Sequence, residues 1–430
     1  MELNVTKTER KETGFNLFSQ KKYEEAFPIL LTFAEEGDAK SQYEVAYCYY
    51  FGYGVNRDFE QAGKWYESSA LQDYTEAQVS LAGCFSIGLG KEKDLKQAIY
   101  WYERAGLKGN VNGQFEAGNL YFNGRVENED KKKSIYWYEL AANQNHIGAL
   151  TRLGWCYTYG KIVEKDIRKG IGYYQKAAEL GFNMAQLRMG NFFAEGQGID
   201  QDYHQAFYWF QKAAEAGLDE AQNSLGVYYF FGLGTLKNYK EAVYWFEKSA
   251  LQNNKDAKNN LSVCYENGHG VQKDISVSLK WLMDAAKQYQ IASVFRLGFC
   301  YATGNGINQD LDEAEKYLGL AIKMGYDPRL YYLDAIYMNG KEVQIKDLPP
   351  AETKDLPNEG FLYYALGKYY HDNPGAEDFE KASYWYKKAE AYGIEISKED
   401  LDAMDSSVDE NSIDEEIRRI IQAASTNKKD

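Results

Sequence analysis

The sequence predicts an all-α solenoid, and the prediction rests on regularities in its 430 residues. The chain has 38 Gly and 38 Tyr but only 6 Pro, a composition typical of a low-complexity or repetitive chain. Tryptophan recurs at intervals of 36 residues or twice that, and small residues and glycines recur in step. A fixed period of this length is typical of stacked structural repeats. The tryptophans of this series are Trp65, Trp101, Trp137, Trp209, Trp245 and Trp281.

The first helix of each repeat is predicted from the small residues and the glycines. We number each repeat from its first small residue, which is position 0. An aromatic residue stands at position 8 and glycine at position 11, as in Gly52 and Gly88. The helix should end at this glycine, because glycine readily adopts the left-handed conformation that ends many helices. Position 0 is occupied by Ser41, Ala77, Gly113, Ala149, Ala185, Ala221, Ala257 and Ser293.

The second helix is predicted to begin after position 17, which is Asp in every repeat but the one with Asn238. Five of the eight have Gln or Glu three residues later, the pattern of a capping box. Positions 21, 24, 25, 28 and 29 are apolar and fall on one helix face. One helix pair cannot bury this face alone, so the pairs should stack into one elongated domain. The aspartates are Asp58, Asp94, Asp130, Asp166, Asp202, Asp274 and Asp310.

These motifs resemble a known family. The unit AQNSLGVYYFFGLGTLKNYKEAVYWFEKSALQNN, which starts at Ala221, is similar to a Sel1-like repeat, a 36-residue relative of the tetratricopeptide repeat. The resemblance extends through eight successive units. It implies a right-handed α/α superhelix of about ten helix pairs. It also implies binding of proteins or peptides and no catalytic machinery of its own.

The two ends of the chain depart from the repeat pattern. A first helix is predicted over about 328–340, but its second helix should be broken by Pro349, Pro350 and Pro357. The last helix, SIDEEIRRIIQAA, is either a cap over the final repeat or a detachable segment. The predicted domains are an N-terminal tetratricopeptide-like helix pair (1–40), eight repeats (41–328), a degenerate half repeat with a Pro-rich segment (329–360), a final repeat (361–395), and an acidic segment with a C-terminal amphipathic helix (396–430).

Composition excludes several classes of function. The net charge is −15, which disfavours a general affinity for nucleic acid or anionic membranes. No apolar run is long enough to span a bilayer, and the N-terminus lacks the apolar core of a secretion signal. We therefore expect a cytoplasmic protein with a protein or peptide partner, and neither nucleic-acid binding, membrane insertion nor a small-molecule substrate.

The candidate chemical groups have structural explanations. The five cysteines all stand at position 7, where other repeats have Leu, Phe or Tyr, so they should be reduced, buried packing residues. Some members of the resembling family join the two helices by a disulfide, but no second cysteine is present here. The four histidines fall in four different register positions, and the aspartate array serves as helix caps. We expect no metal, no cofactor and no enzyme activity. The cysteines are Cys48, Cys84, Cys156, Cys264 and Cys300.

A binding surface is predicted on the first helices. Positions 0, 4, 5, 7, 8 and 11 cluster on one face and should form the core, whereas positions 2, 3, 6, 9 and 10 lie opposite. The resemblance implies that this opposite face lines a concave groove. Either tight winding buries positions 2 and 9, or they face the groove; position 6 should face it in every repeat. The predicted protein-binding residues are Tyr47, Tyr50, Asn119, Arg152, Trp155, Tyr159, Arg188, Asn191, Asn223, Val227, Phe230, Asn259, Arg296 and Phe299.

The residue types on this face favour protein recognition. Exposed aromatic residues with Arg have the composition of binding hot spots. Asn can pair with both polar groups of an extended backbone. Arg152, Arg188 and Arg296 share position 3 and could bind a carboxylate. Related tetratricopeptide grooves hold a C-terminal carboxylate with Asn and basic residues, although the Lys members of that site are not matched here.

Two functions follow from these observations. The first is a cytoplasmic scaffold that binds a protein or peptide segment on the concave face. The second is a dedicated inhibitor or immunity-type protein that sequesters an effector or toxin, for which the charge of −15 would suit a basic partner. A role as an enzyme or as a regulator of cell-wall chemistry has no support from the residues.

Overall fold

The structure of the protein is a computed structural model. It describes residues 6–123, 131–326, 337–338, 341–342, 363–364, 366–367, 376–394 and 396. The chain divides into a first unit, residues 1–213, and a second unit, residues 214–430. Within the described residues, no helix is both long enough and apolar enough to span a bilayer.

The helices of the first unit follow one another in pairs. Each helix is 13 residues long except α7, which has 12. The elements are α1 (Lys7–Ser19), α2 (Tyr23–Glu35), α3 (Ala39–Phe51), α4 (Phe59–Leu71), α5 (Thr75–Ile87), α6 (Leu95–Leu107), α7 (Val111–Phe122), α8 (Lys131–Asn143), α9 (Ile147–Tyr159), α10 (Ile167–Glu179), α11 (Asn183–Glu195) and α12 (Tyr203–Glu215).

The second unit continues the same pairing and adds two short strands. Residues 363–364 and 366–367 are also helical. The elements are α13 (Asp219–Phe231), α14 (Tyr239–Leu251), α15 (Lys255–Asn267), α16 (Ile275–Lys287), α17 (Ile291–Thr303), α18 (Leu311–Lys323), β1 (Tyr337–Met338), β2 (Lys341–Glu342) and α19 (Ala376–Ala391).

The predicted fold class is confirmed as an all-α solenoid of repeated helix pairs. First and second helices alternate with the predicted period, and each first helix begins two residues before position 0. Two helices, α1 and α2, are also present within residues 1–40, where an N-terminal helix pair was predicted.

The predicted helix ends are confirmed wherever the structure describes them. Gly52 has φ 77°, and its N–H donates to the carbonyl of Cys48 at 2.8 Å, which ends α3. Asp58 begins α4, since its carboxylate accepts the N–H of Gln61 at 3.0 Å. Asp130 lies outside the described residues. The same cap is formed by Asp94, Asp166, Asp202, Asn238, Asp274 and Asp310.

The two helices of a pair approach closely where position 5 of the first meets position 25 of the second. Position 5 is glycine or alanine in every repeat but the one with Ser262, and position 25 is a large buried side chain. A Cβ added at Gly190 would lie 2.5 Å from the ring of Phe210, and one at Gly118 would lie 2.7 Å from the ring of Tyr138. Both rings are fully buried. A larger residue at position 5 would therefore force the helices apart.

A buried glutamine at position 1 joins successive repeats, and the sequence analysis did not anticipate it. Its side-chain amide donates to a carbonyl in the last turn of the preceding second helix, a group that has no partner within its own helix. Gln114, for example, donates to Gly106 at 2.9 Å. The same bond joins Gln42 to Ala34, Gln78 to Ala70, Gln186 to Ala178 and Gln222 to Ala214.

The five cysteines are packing residues, as predicted. All five are free and buried. Burial raises the pKa of Cys84 and of Cys156 to about 11. These thiols therefore stay protonated near neutral pH, and a protonated thiol is a poor nucleophile.

The segment after α18 differs from the prediction. Residues 337–338 and 341–342 form antiparallel strands in which Met338 pairs with Lys341. The first helix predicted over 328–340 is therefore wrong at its C-terminal end, and residues 327–336 lie outside the described residues. The dipeptide between the strands is Asn-Gly, which favours a two-residue hairpin turn over a helix end. The predicted Pro-rich break and the C-terminal helix after residue 411 also lie outside the described residues.

Two glycine substitutions test the close approach of the paired helices. We expect Gly190→Ala to lower the free energy of unfolding by about 1–3 kcal/mol, because the added Cβ overlaps a buried ring. Gly172 is the matched control: it lies in α10, it is exposed, and nothing lies within 4 Å of the position of its Cβ. Gly172→Ala should stabilise the protein by about 0.5–1 kcal/mol. Urea denaturation followed by circular dichroism measures both, and equal effects would contradict the packing role.

Candidate protein-binding surface

We define the first-helix wall as positions 2, 3, 6, 9 and 10 of the first helices, which lie opposite the packed face. In the first unit it is formed by α3, α5, α7, α9 and α11. Most of its side chains are partly or fully exposed, and Tyr159 is 47% exposed. Of the predicted binding residues, this accessible part of the wall includes Tyr47, Tyr50, Asn119, Arg152, Trp155, Tyr159, Arg188 and Asn191.

An aromatic–arginine cluster lies on α7 and α9 and consists of Phe122, Arg152, Trp155 and Tyr159. The Trp155 ring lies 5.8 Å from Phe122 and 6.1 Å from Tyr159, measured between centroids. The guanidinium of Arg152 lies 5.3 Å from the centre of the Phe122 ring. Arg152 is exposed and Trp155 is half-buried. The cluster thus offers a cation and a flat apolar face on one accessible surface.

Groups next to this cluster on α7, α8 and α9 also contact one another. His146 begins α9, and its Nδ1 accepts the N–H of Ala149 at 3.2 Å. The imidazole also lies 4.3 Å from the Phe115 ring of the preceding first helix. The Tyr138 hydroxyl of α8 donates to Asn119 Oδ1 of α7 at 2.9 Å. The amide expected to receive a partner's backbone is thus already engaged at its oxygen.

A second aromatic group covers the start of the wall. Tyr47 lies 4.5 Å from Phe51, and Phe51 stacks on Tyr53 at 5.5 Å. Tyr53 in turn stacks on Tyr23 of α2 at 4.6 Å. The sequence analysis missed Tyr23 and Tyr53, because they lie outside the first helices. These contacts leave Tyr50 half-buried beside Phe51.

The charge on the wall changes sign along the first unit. Position 3 is Glu44 in α3 and Glu116 in α7, but Arg152 in α9 and Arg188 in α11. Burial raises the pKa of Glu44 to about 7, with Lys40 opposing this shift and the nearby carboxylate of Glu76 adding to it. The sequence analysis did not single out Glu44, since its burial depends on the neighbouring repeat.

Six of the predicted binding residues lie in the second unit, and all six are buried instead of lining an open groove. Burial was one of the two alternatives for positions 2 and 9, which here are Asn223, Asn259 and Phe230. Position 6 was expected to face the groove in every repeat, and the burial of Val227 and Phe299 contradicts that expectation. The six residues are Asn223, Val227, Phe230, Asn259, Arg296 and Phe299.

Part of this burial comes from a polar network within the wall. Asn260 donates to Asn223 Oδ1 at 2.9 Å. Arg296 donates to Asn259 Oδ1 at 3.2 Å and forms an ion pair with Glu266. The groups predicted to hold a partner therefore bind one another.

Strand β1 also contributes, because it lies against both α13 and α15. These are the first helices of two successive repeats, and their wall residues Val227 and Asn259 are fully buried. The two observations together indicate that the strand lies on the first-helix wall. The chain's own backbone thus occupies a surface that the sequence analysis assigned to a partner. A contact between residues so far apart in the sequence cannot be predicted from the 36-residue pattern.

The family model for the Sel1 repeat matches the chain over most of its length. No curated protein matches it. The nine matched stretches are residues 39–74, 75–110, 111–146, 147–182, 183–218, 219–254, 255–288, 291–326 and 362–391.

Solved structures include proteins similar to this chain. The structure of c5321, a protective antigen present in uropathogenic Escherichia coli strains displaying an SLR fold, is 27% identical with a TM-score of 0.68, and the match covers 86% of this chain and 72% of that one. A Sel1 repeat protein from Oxalobacter formigenes is 30% identical with a TM-score of 0.49, over 56% of this chain and 99% of that one. Immunity protein Pa5087 from Pseudomonas aeruginosa is 18% identical over 50% of this chain and 81% of that one, and its TM-score of 0.29 is too low to relate the two structures.

The raised pKa of Glu44 predicts a pH-dependent stability. The folded chain holds the Glu44 proton up to about pH 7, whereas the unfolded chain releases it near the ordinary value of 4.5. The charged carboxylate therefore destabilises the fold fully above pH 7 and not at all below pH 4.5. We expect Glu44→Gln to stabilise the protein at pH 8 by about 1–2 kcal/mol, after allowance for solvent screening, and by almost nothing at pH 4.5. Urea melts at both pH values measure this, and Glu164→Gln, an exposed loop carboxylate, is the control.

Substitution of two tryptophans, one in the wall and one in the core, tests the assignment of the two surfaces. Trp209 stands in the position-24 series and is 8% exposed within the core around α9 and α10. We expect Trp209→Ala to lower the free energy of unfolding by about 3–5 kcal/mol, because it leaves a cavity. Trp155→Ala should leave the fold intact, since Trp155 lies outside that series. Circular dichroism during urea denaturation measures both, and equal destabilisation would show that Trp155 is a core residue.

Proposed function

The chain belongs to the Sel1 repeat family, and we propose that it is a non-enzymatic scaffold which binds a segment of another protein on the first-helix wall of its first unit. Proteins of this family are generally protein-interaction scaffolds, and their fold is typically non-catalytic. The observation that carries the proposal is the aromatic–arginine cluster. Its Trp, Tyr and Arg side chains remain accessible, although the packing of the repeats does not require those residue types there.

The cluster has the composition of an interface centre. Trp, Tyr and Arg are the residues most enriched among binding hot spots. Arg152 is exposed, and Tyr159 and Trp155 present ring faces beside it. In addition, Arg188 extends the cationic surface onto the next first helix. A partner that covers this area would bury apolar rings and pair two cations at once.

The binding residues we propose are those of the first unit alone. The second unit's wall is covered in the folded chain, so its six predicted residues are removed from the site. The proposed residues are Tyr47, Tyr50, Asn119, Arg152, Trp155, Tyr159, Arg188 and Asn191. A cytoplasmic location is part of the proposal and rests on the sequence.

The alternative function, a dedicated inhibitor or immunity-type protein, differs in the partner it needs. A net charge of −15 would attract a basic folded effector, which would contact acidic surface outside the wall. Such a complex weakens steeply as salt rises, because its charges are exposed. A complex built on the aromatic–arginine cluster should depend less on salt, since ring burial contributes most of its free energy.

A capture experiment with matched baits tests the site. The baits are the wild-type chain, Trp155→Ala/Arg188→Ala, and the control Tyr136→Ala/Arg168→Ala, which removes an exposed ring and an exposed cation from second helices. We expect the wild type and the control to retain a protein from lysate of the source cell that the Trp155 variant loses. With that protein purified, the Trp155 variant should bind at least tenfold more weakly, as expected for the loss of a hot spot.

Equal retention of a partner by all three baits would contradict the proposed site. A partner that all three baits hold equally would place the binding site away from the first-unit wall. If its affinity also fell steeply between 50 mM and 500 mM salt, the dedicated-inhibitor function would replace the scaffold. Circular dichroism of each bait establishes that the variants are folded.

A further inference from the structure

The second unit shows what kind of chain a first-helix wall accepts. Strand β1 lies against α13 and α15 and pairs antiparallel with β2. Strand backbone is extended, with a rise of about 3.3 Å per residue. Two successive first helices therefore seat an extended segment, in this case one from the same chain.

The corresponding helices of the first unit are α9 and α11. All four helices are 13 residues long and begin two residues before position 0, so their wall positions correspond one to one. At position 3, Ser224 and Asn260 of the second unit are fully buried, whereas Arg152 and Arg188 of the first unit are exposed. The wall of α9 and α11 is thus equivalent to the surface on which β1 lies, but its side chains remain accessible.

The arginines of the two walls differ in their partners. Arg296 at position 3 pairs with Glu266, which stands at position 9 of the preceding repeat. Position 9 before Arg152 is Phe122, and position 9 before Arg188 is Thr158. Among the residues that the structure describes, no carboxylate forms an ion pair with Arg152 or Arg188. The first unit therefore has the cations of this arrangement without the anion.

We propose that the first-unit wall binds an extended acidic segment of a partner protein, with its carboxylates at Arg152 and Arg188 and an apolar side chain against Trp155. This rests on the proposed function and specifies its partner. Arginine matches a carboxylate through two parallel hydrogen bonds, and the adjoining rings exclude water from that pair. The partner supplies to Arg152 and Arg188 what Glu266 supplies to Arg296.

The geometry of an extended chain restricts the partner's sequence further. Alternate side chains of an extended segment point to the same side. Acidic residues that face the wall should therefore be separated by an odd number of residues, as in Glu-x-Glu. The end of the segment that lies over α3 and α7 meets Glu44 and Glu116, so that end should lack acidic residues.

Peptide selection against the full chain tests this directly. A phage library of random linear 12-residue peptides is selected on three baits: the wild type, Arg152→Gln/Arg188→Gln, and Arg168→Gln/Lys176→Gln. The last is a matched control, because it removes two exposed positive charges from α10. We expect acidic peptides with an apolar residue to be enriched by the wild type and the control. Synthetic copies of these peptides should bind the Arg152 variant at least tenfold more weakly, and the control within twofold, by fluorescence anisotropy.

The outcomes separate this inference from the proposed function. A second library, randomised on the surface of a helical scaffold, is selected in parallel. Preferential enrichment of the helical library would overturn the extended conformation. If the wild type enriched linear acidic peptides no more than Arg152→Gln/Arg188→Gln does, an acidic segment would be ruled out as the partner. In either case a captured protein that still depends on Trp155 and Arg188 would leave the scaffold function standing, and one independent of both would remove it.

Discussion

The close approach of the two helices within each repeat determines the rest of the structure. Position 5 of the first helix is a small residue, glycine or alanine in seven of the eight repeats, and the side chain at position 25 of the second helix lies directly against it, as Phe210 lies against Gly190. This contact sets which face of the first helix is buried. Because each repeat has only two helices, the face of the first helix opposite that contact has no packing partner within its own repeat. A surface for recognition is therefore a consequence of how the pair packs.

The first-helix wall is buried in the second unit and accessible in the first, although both units are built from the same helix pairs. In the second unit the side chains of the wall bind one another, as Arg296 binds Glu266 and Asn260 binds Asn223, and strand β1 lies on α13 and α15. In the first unit the position equivalent to Glu266 is Phe122, so Arg152 rests on a ring and keeps its hydrogen-bond donors available. The residue at position 9 thus distinguishes the two walls: Glu266 pairs with the arginine of the next repeat, whereas Phe122 leaves that arginine accessible.

The features that could be predicted from the sequence are those that one repeat contains. A left-handed glycine at Gly52 and a cap at Asp58 need only their local neighbours, so composition at those positions is decisive. The buried amide of Gln114 was missed because its partner, the Gly106 carbonyl, belongs to the preceding repeat. The pKa of Glu44 depends likewise on burial beside α5. The covered wall of α13 and α15 depends on a strand that begins 70 residues after the end of α15, beyond any periodic pattern.

The variety of residues at position 6 shows that recognition and stability are separable in this fold. In the first unit that position is Tyr47, Asn119, Trp155 and Asn191 in four repeats whose first helices are 12 or 13 residues long. A position that accepts an amide and an indole without altering the helix pair is not selected by packing. Position 5, in contrast, accepts only glycine or alanine in these repeats, because a ring lies within contact of its Cβ. Packing therefore restricts positions 0, 5, 24 and 25, while position 6 can change its side-chain chemistry at little cost to the fold. The proposed site for an acidic ligand on this acidic solenoid accordingly needs only two arginines and one tryptophan in consecutive repeats.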